Sequence, residues 1–569
     1  MINNEIAQAF RHIADILEIK GDNVFRIRAY QRAAQNIDGL AEDIQNYIDE
    51  DRLFVIPGIG KDLAEKIKEY ASTGKIKFYS ELKKTIPEGM LELLDIPSVG
   101  PKTAKLLLDK LGIKNIKGLQ NAIDKDNLKE IPGIKEKTVE NILKGIQLVK
   151  KGKERMNLAQ AAFVASEFLE ALKSLPAIKS ISVAGSLRRQ KETVRDIDIL
   201  IASDKPGKVM QVFTKISSVK DILASGQTKS SVRTRQGVQV DCRVVDQNSF
   251  GAALLYFTGS KDFNIKIRQI AIKKGLKVNE YGIFRNDKFI CGKTELEVFR
   301  ALGLSYIEPE LRENNGEIEL AQASKLPSLI KLEDIRGDLH THSEWSDGNN
   351  SIEEMAQAAS KIGYSYISIT DHSQSLRVAN GLTPADLNKK KKQIESLNKR
   401  FKNFRILFGA EVDIDSAGRL DYSDDILKEF DVVVGAIHTG FKQPKQQLTK
   451  RLINACKNKY VHIIAHPTGR LWGARDAYEL DFDELFKVAS DTNTAFEINS
   501  FPNRLDLNDH NARRAKEMGV KLSIGTDSHE TSQLLTMNLG VSVARRGWLS
   551  KADVLNTLTF SQLLKTIRK

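Results

Sequence analysis

Cysteine is scarce: Cys242, Cys291 and Cys456 are odd in number and far apart, with no C-x-x-C spacing. That excludes a disulfide framework and a cysteine-built zinc site. Long apolar runs are missing too. None approaches the ~18 residues that span a bilayer, and Met1 to Lys20 is a polar amphipathic pattern instead of a signal peptide, so a cytoplasmic protein without a membrane partner is expected. Residues 301–569 lack net charge, with 36 basic against 36 acidic side chains, whereas residues 1–300 hold 51 against 38. The whole excess of +13 therefore lies in the first part, and within it residues 101–300 carry 38 basic against 21 acidic side chains, a positive surface that suits a polyanion such as nucleic acid. At 569 residues the chain is too long for one core, and about 150 residues per domain gives three or four.

The densest chemistry is in Gly185-Ser186-Leu187-Arg188-Arg189, followed after six residues by Asp196-Ile197-Asp198. The apolar, β-branched runs Ile178 to Val183 and Ile197 to Ala202 predict strand, turn, strand. Alternation points Asp196 and Asp198 to one face. Two carboxylates beside a Gly-Ser turn with free backbone N–H groups suit a metal-bound nucleoside triphosphate. Asp241, in the later strand-like run Val238 to Val244, is the candidate third carboxylate. A solvated acidic pair on a surface strand is the competing reading, and G-S-x-R-R at this spacing weighs against it.

Upstream, one pattern occurs three times: Ile56-Pro57-Gly58-Ile59-Gly60-Lys61, Ile96-Pro97-Ser98-Val99-Gly100-Pro101-Lys102 and Ile131-Pro132-Gly133-Ile134-Lys135. Each precedes a helical apolar period, so each predicts a tight turn before a helix whose first N–H groups can hold a backbone phosphate without reading a base. Gly58, Gly60, Gly100 and Gly133 are the candidate DNA contacts. The third copy has Lys135 in place of its second glycine, so its turn can also be purely structural.

These hairpins, the G-S-x-R-R…D-x-D segment and Asp241 resemble the family X DNA polymerases. Tyr256-Phe257-Thr258-Gly259-Ser260, then Asn264, Arg268, Asn279, Glu280 and Tyr281, match that family's thumb region. The resemblance implies two Mg²⁺ ions on Asp196, Asp198 and Asp241, and triphosphate contacts from the Gly185-Ser186 turn and Arg189. It also implies that Tyr256 and Phe257 guard the sugar, with Asn264 at the nascent base pair and Arg268 at the template. Gapped or primed DNA and dNTPs are the implied partners, and a monomer is expected. Three positions depart from the pattern: Arg195 replaces a glycine, Gln239 an arginine and Lys261 an acidic residue. Lys66 matches the lysine that forms a Schiff base on an abasic sugar in polymerase beta. Asp62, standing where a companion cation belongs, would keep that amine protonated, so a lyase role for Lys66 rests on the resemblance alone and a phosphate contact is the competing reading.

From 335 onward the pattern changes to seven short apolar runs, at 335–341, 364–371, 404–414, 430–437, 461–465, 494–499 and 520–526. Their alternation with helical or loop segments predicts a parallel barrel with its chemistry at the strands' C-terminal ends. His340, His342, His372, His438, His466 and His529 fall at those ends, with Asp347, Glu411 and Asp527 near them, while His12, His462 and His510 lie outside the pattern. Imidazole with carboxylate and no thiolate suits Zn²⁺, Mn²⁺ or Fe²⁺. H-x-H, D-G, D-H, G-A-E-x-D, A-H-P and T-D-S-H resemble the PHP phosphoesterases, which implies a distorted (β/α)7 barrel holding up to three Mn²⁺ or Zn²⁺ ions. The implied sets are His340, His342, Glu411 and Asp527; Glu411, His438 and His466; and Asp347, His372 and His529. Arg470 and Arg504, next to strand ends, are candidate phosphate holders or ordinary surface arginines.

The fold class expected is multidomain α+β and α/β: helix-hairpin-helix units over 1–85 and 86–155, a nucleotidyltransferase palm over 156–250, a thumb over 251–315, a linker over 316–334 and the PHP barrel over 335–569. The combination resembles the bacterial and archaeal branch of the family X polymerases. It implies gap filling in base excision repair joined to a metal-dependent 3′-5′ exonuclease, and admits cleavage at abasic sites. The rival readings are a polymerase fused to a small-molecule phosphatase and a non-enzymatic scaffold for DNA ends.

Overall fold

A computed structural model describes residues 2–38, 44–94, 96, 99–131, 134 and 136–567. In the first helix, Ile2–Lys20, the apolar residues Ile6, Phe10, Ile13 and Leu17 fall on one stripe and are buried. That stripe nucleates a helical core running to Ile142 and Ile146. Two helices of this unit begin at predicted hairpin glycines: Gly60 caps Lys61–Thr73 and Gly100 caps Pro101–Leu111. The three turns share one backbone bond, from the N–H of Ile59, Val99 or Ile134 to the carbonyl of Ile56, Ile96 or Ile131, at 3.1, 2.9 and 3.1 Å. Gly133 itself lies outside the described residues.

The palm is a five-stranded sheet in the order Ser180–Val183, Asp196–Ala202, Gln239–Val245, Lys229–Thr234, Val219–Ser225. Its central pair, Asp196–Ala202 and Gln239–Val245, is parallel and sets Asp198 opposite Asp241. The segment between the first two strands, expected as a turn, winds into a single helical turn, Gly185–Arg188. That turn is fixed from the thumb. Arg188 forks onto both carboxylate oxygens of Glu295 at 2.8 and 2.7 Å, and Arg312, fully buried, reaches the same carboxylate at 2.6 Å. Tyr306 adds its hydroxyl at 3.1 Å.

Burial alone would raise the Glu295 carboxyl, but Arg312 and Arg188 outweigh it and hold the pKa down at about 2. A carboxyl depressed in the folded state stabilises fully above its ordinary value of 4.5, and that contribution is lost as pH falls toward about 2. Glu295→Ala strands the buried Arg312 guanidinium and the half-buried Arg188 guanidinium. It is expected to cost about 3–5 kcal/mol, read by urea unfolding at pH 7; a loss under about 1 kcal/mol would contradict this account of the palm–thumb joint.

The segment read as linker carries the helix Glu317–Gln322, whose Ile318 and Ala321 pack into the thumb core with Leu329. Beyond it, seven parallel strands follow one another in sequence order from Gly337–Thr341 to Leu522–Gly525. A bridge from Thr341 to Ser528 brings the first and last strands together, as a barrel requires. Every expected apolar run contains one of these strands. Palm and barrel share a single buried apolar cluster, so they pack directly against each other.

Candidate metal centres

In the palm, alternation along Asp196–Ala202 and the cross-strand pairing of Asp198 with Asp241 put three carboxylates on one face of the sheet. Gly185, at φ +61°, closes over them. A Cβ there would lie 2.2 Å from Asp198 Oδ2, so only glycine fits. Burial first, then Asp196 and Asp241, push the Asp198 carboxyl up to about 7, against the pull of Arg243 and Arg189. Three crowded acids that resist shared ionisation suit divalent cations. Gln239 donates from Nε2 to both oxygens of Asp241, at 3.1 and 3.3 Å, so the replacement of arginine by glutamine keeps a donor on this carboxylate but loses the charge. Arg195 is exposed, with Nη2 3.4 Å from Asp196.

A cavity of about 120 Å³ adjoins the acids, lined by Asp198, Asp241, Arg243, Lys229 and Phe257. Arg243 stacks over the Phe257 ring at 4.4 Å and Tyr256 meets it edge-on at 5.1 Å. Asn264 donates to the Tyr256 carbonyl at 2.6 Å, and Arg268, one turn later on the same helix face, is exposed. Ser186 is half-buried at the start of the helical turn. Arg189 is not free: its Nε bonds Glu313 at 3.0 Å and its Nη1 bonds the Thr258 carbonyl, contacts that leave Nη2 unused.

In the N-terminal unit, a Cβ at Gly60 or Gly100 would meet nothing within 4 Å among the described residues. Packing among those residues does not demand glycine at these helix starts, so their open backbone can serve an outside phosphate. Lys66 is ion-paired with Asp62, the neighbour singled out from sequence, and lies 5.3 Å from the Phe78 ring centre.

The barrel gathers the nine expected donors around Glu411. Glu411 Oε2 lies 2.9 Å from His372 Nδ1, 3.4 Å from His340 Nε2 and 3.5 Å from His342 Nε2. Oε1 lies 2.9 Å from His466 and 3.3 Å from His438. Asp527 Oδ1 sits 3.2 Å from His342, and Asp347 lies 3.6 and 3.3 Å from His372 and His529. Three groups have donor atoms close enough to share an ion: His340, His342 and Asp527; His372, Glu411 and His438; and His342, Asp347, His372 and His529. His342 thus faces two groups, where the family pattern assigned it to one.

Among the described residues, His342 Nδ1, His372 Nδ1 and Glu411 Oε2 are buried without a hydrogen-bond partner, an arrangement suited to metal ligands. His466 and Asp527 sit at φ +27° and +54°, strained backbone of the kind found where a site dictates it. Burial pulls the His342 ring down to about 4 and the His466 ring to about 3, keeping both neutral and able to ligate.

Sequence reasoning missed the supports. Glu497 accepts from His340 Nδ1 at 2.7 Å and from the His466 N–H at 2.7 Å, fixing the ring so that Nε2 faces inward. Asp413 does the same for His438 at 3.3 Å, and Asn499 bridges Glu497 and Asp527. The available signal was an acidic residue, Glu497, between the apolar Phe496 and Ile498 of the strand Ala495–Asn499. Arg504 stands 3.4 Å from Asp527, whereas Arg470 pairs with Glu192 of the palm at 2.9 Å. His12 bonds the Tyr79 hydroxyl and His462 accepts the Val433 N–H, both away from the cluster.

Four family models match: a helix-hairpin-helix domain over residues 1–76, a SAM-like helix-hairpin-helix tandem over 90–147, the DNA polymerase beta thumb over 253–313 and the PHP domain over 338–501. Among curated proteins, the DNA polymerase/3′-5′ exonuclease PolX of Bacillus subtilis is 42% identical over 98% of this chain and 97% of its own length. DNA polymerase lambda of Rattus norvegicus is 25% identical over 55% of this chain and 56% of its own length. A probable phosphatase of Thermoanaerobacter sp. (strain X514) is 32% identical over 39% of this chain and 89% of its own length. An identity of 42% along nearly the whole of both chains, with the hairpins, palm, thumb and barrel in one order, places this chain in the PolX family.

Proposed function

We propose that the chain extends DNA primers at the palm and removes nucleotides from 3′ ends at the barrel. The observation that carries the reading is the convergence of Asp196, Asp198 and Asp241 on one sheet face beneath Gly185. These carboxylates would hold two Mg²⁺ ions. Bound there, the ions supply Lewis-acid activation of the primer 3′-hydroxyl and neutralise the charge of departing pyrophosphate. The chain's own residues position the reactants, which is most of what phosphoryl transfer needs. Ser186 and Arg189 take the triphosphate, Tyr256 and Phe257 the sugar, Asn264 the new base pair and Arg268 the template. The hairpins at Gly58, Gly60, Gly100 and Gly133 grip the DNA backbone. Lys66, paired with Asp62, contacts phosphate instead of acting as a lyase nucleophile.

In the barrel, the nine donors would hold up to three ions of the Mn²⁺ or Zn²⁺ type, which acidify the attacking water and neutralise the phosphodiester. Glu497, Asp413 and Asn499 hold the ligands in register, and Arg504 offers charge to the phosphate. Short-gap filling in base excision repair, in the cytoplasm, is the setting we infer, with cleavage at abasic sites as an extension of the barrel's chemistry. A small-phosphomonoester hydrolase is the second reading of the barrel, favoured by its 32% identity to proteins named as probable phosphatases.

One preparation separates these readings. With Mn²⁺ and dNTPs it should fill a one-nucleotide gap, and without dNTPs it should shorten 3′-labelled single strands. Turnover of p-nitrophenyl phosphate with no loss from the single strands would establish the phosphatase reading instead. Gly185→Ala should push Asp198 aside and lower extension about 100-fold, since displacing a reacting group by an ångström costs that much; gap filling by this variant at the wild-type rate would contradict the fit described.

A further inference from the structure

Arg189 is held in place by the barrel. Its guanidinium is fixed by Glu313 of the thumb, and the Glu313 carboxylate is gripped in turn by Arg546 Nη1 at 3.2 Å. The same Nη1 reaches the main-chain carbonyl of Arg189 at 2.8 Å and that of Glu310 at 3.2 Å. Arg546 belongs to the barrel helix Met537–Arg546, and its side chain is only 4% exposed. Asp509, also of the barrel, takes its Nε and Nη2 at 2.8 and 2.6 Å, so the fork cannot swing away. Ser542, one turn earlier, bonds the Gln190 side chain at 3.0 Å.

One barrel arginine thus touches both the backbone of Arg189 and the acid that aims its side chain. An arginine left to itself would sample many rotamers before meeting a phosphate; one fixed at both ends has already lost that freedom. We infer that Arg546 is a positioning residue for nucleotide binding, acting through Glu313 on Arg189, so that the barrel completes the triphosphate side of the palm. This rests on the reading of Arg189 as a triphosphate contact.

The test is single-nucleotide gap filling by the full chain, with KM for dNTP and kcat measured for wild type, R189A, R546A, R546K and R189A/R546A. R546A should raise the dNTP KM about tenfold, as loss of a charge-assisted contact does, with kcat within about threefold. R546K, which keeps one charged donor but cannot fork, should fall between it and wild type. In the R189A background, adding R546A should raise KM no further, because residues acting through one another are not additive. Degradation of single-stranded DNA reports that the barrel of each variant is folded, and if R546A fails that check, R546K carries the comparison. An unchanged KM in R189A would sink the triphosphate reading, and this inference with it. A raised KM in R189A, combined with an unchanged KM in a folded Arg546 variant or with effects that multiply in the double variant, would overturn the coupling alone.

Discussion

Asp198→Ala is expected to lower gap filling by about 10³-fold or more, with 3′-end degradation at the wild-type rate. The size follows from the site: a divalent cation contributes several kcal/mol to a charged transition state, and each 1.4 kcal/mol is tenfold. Asp198 faces Asp241 across the parallel pair and is the acid against which Gly185 closes. The selectivity follows from composition, because none of the nine barrel donors comes from the palm. Acid should weaken this site before it unfolds the protein. The Asp198 carboxyl, pushed up to about 7 by burial and by its two acidic neighbours, must lose its proton to take a cation, so more Mg²⁺ is needed for half-maximal extension below that pH. Extension that persists in Asp198→Ala would remove the palm as the synthetic centre.

Glu411→Gln is expected to do the converse, lowering degradation of single strands by about 10³-fold while gap filling continues. Glu411 is fully inside the barrel, and its two oxygens divide five imidazoles between them, three on Oε2 and two on Oε1. Burial opposes its charge, but His372, His340 and His438 more than compensate and hold the carboxyl well below the ordinary range. An amide keeps the shape and loses the charge that ties the clusters together. Metal analysis of the purified variant should therefore find fewer bound ions than in wild type. Undiminished degradation with a full metal complement would contradict the central place given to Glu411.

The barrel was the more legible half because its strands are buried on both faces, so they read as continuous apolar runs with chemistry at their ends. The run 404–414 contains the strand Arg405–Asp413, and the ligand Glu411 stands within it. Asp196, Asp198 and Asp241 were readable for a similar reason, since strand alternation is a local property. What escaped notice depends on pairs far apart in the chain. Arg188 stands beside Arg189 in the G-S-x-R-R motif, yet it is committed to Glu295, 107 residues away. Glu497 supports His340 across 157 residues, and no spacing rule links them. The turn at Gly185 became helical because Arg188 is drawn toward the thumb, a tertiary pull that local turn chemistry does not contain.

The account stands on two separate metal centres of opposite effect in one chain. Its most direct test is a gapped-primer reaction with Mn²⁺ in which extension and shortening of the same labelled strand are followed for wild type, Asp196→Ala and His340→Ala. The account predicts a crossed result: Asp196→Ala shortens without extending, and His340→Ala extends without shortening. Loss of both activities in either folded variant would mean that the two reactions share one centre.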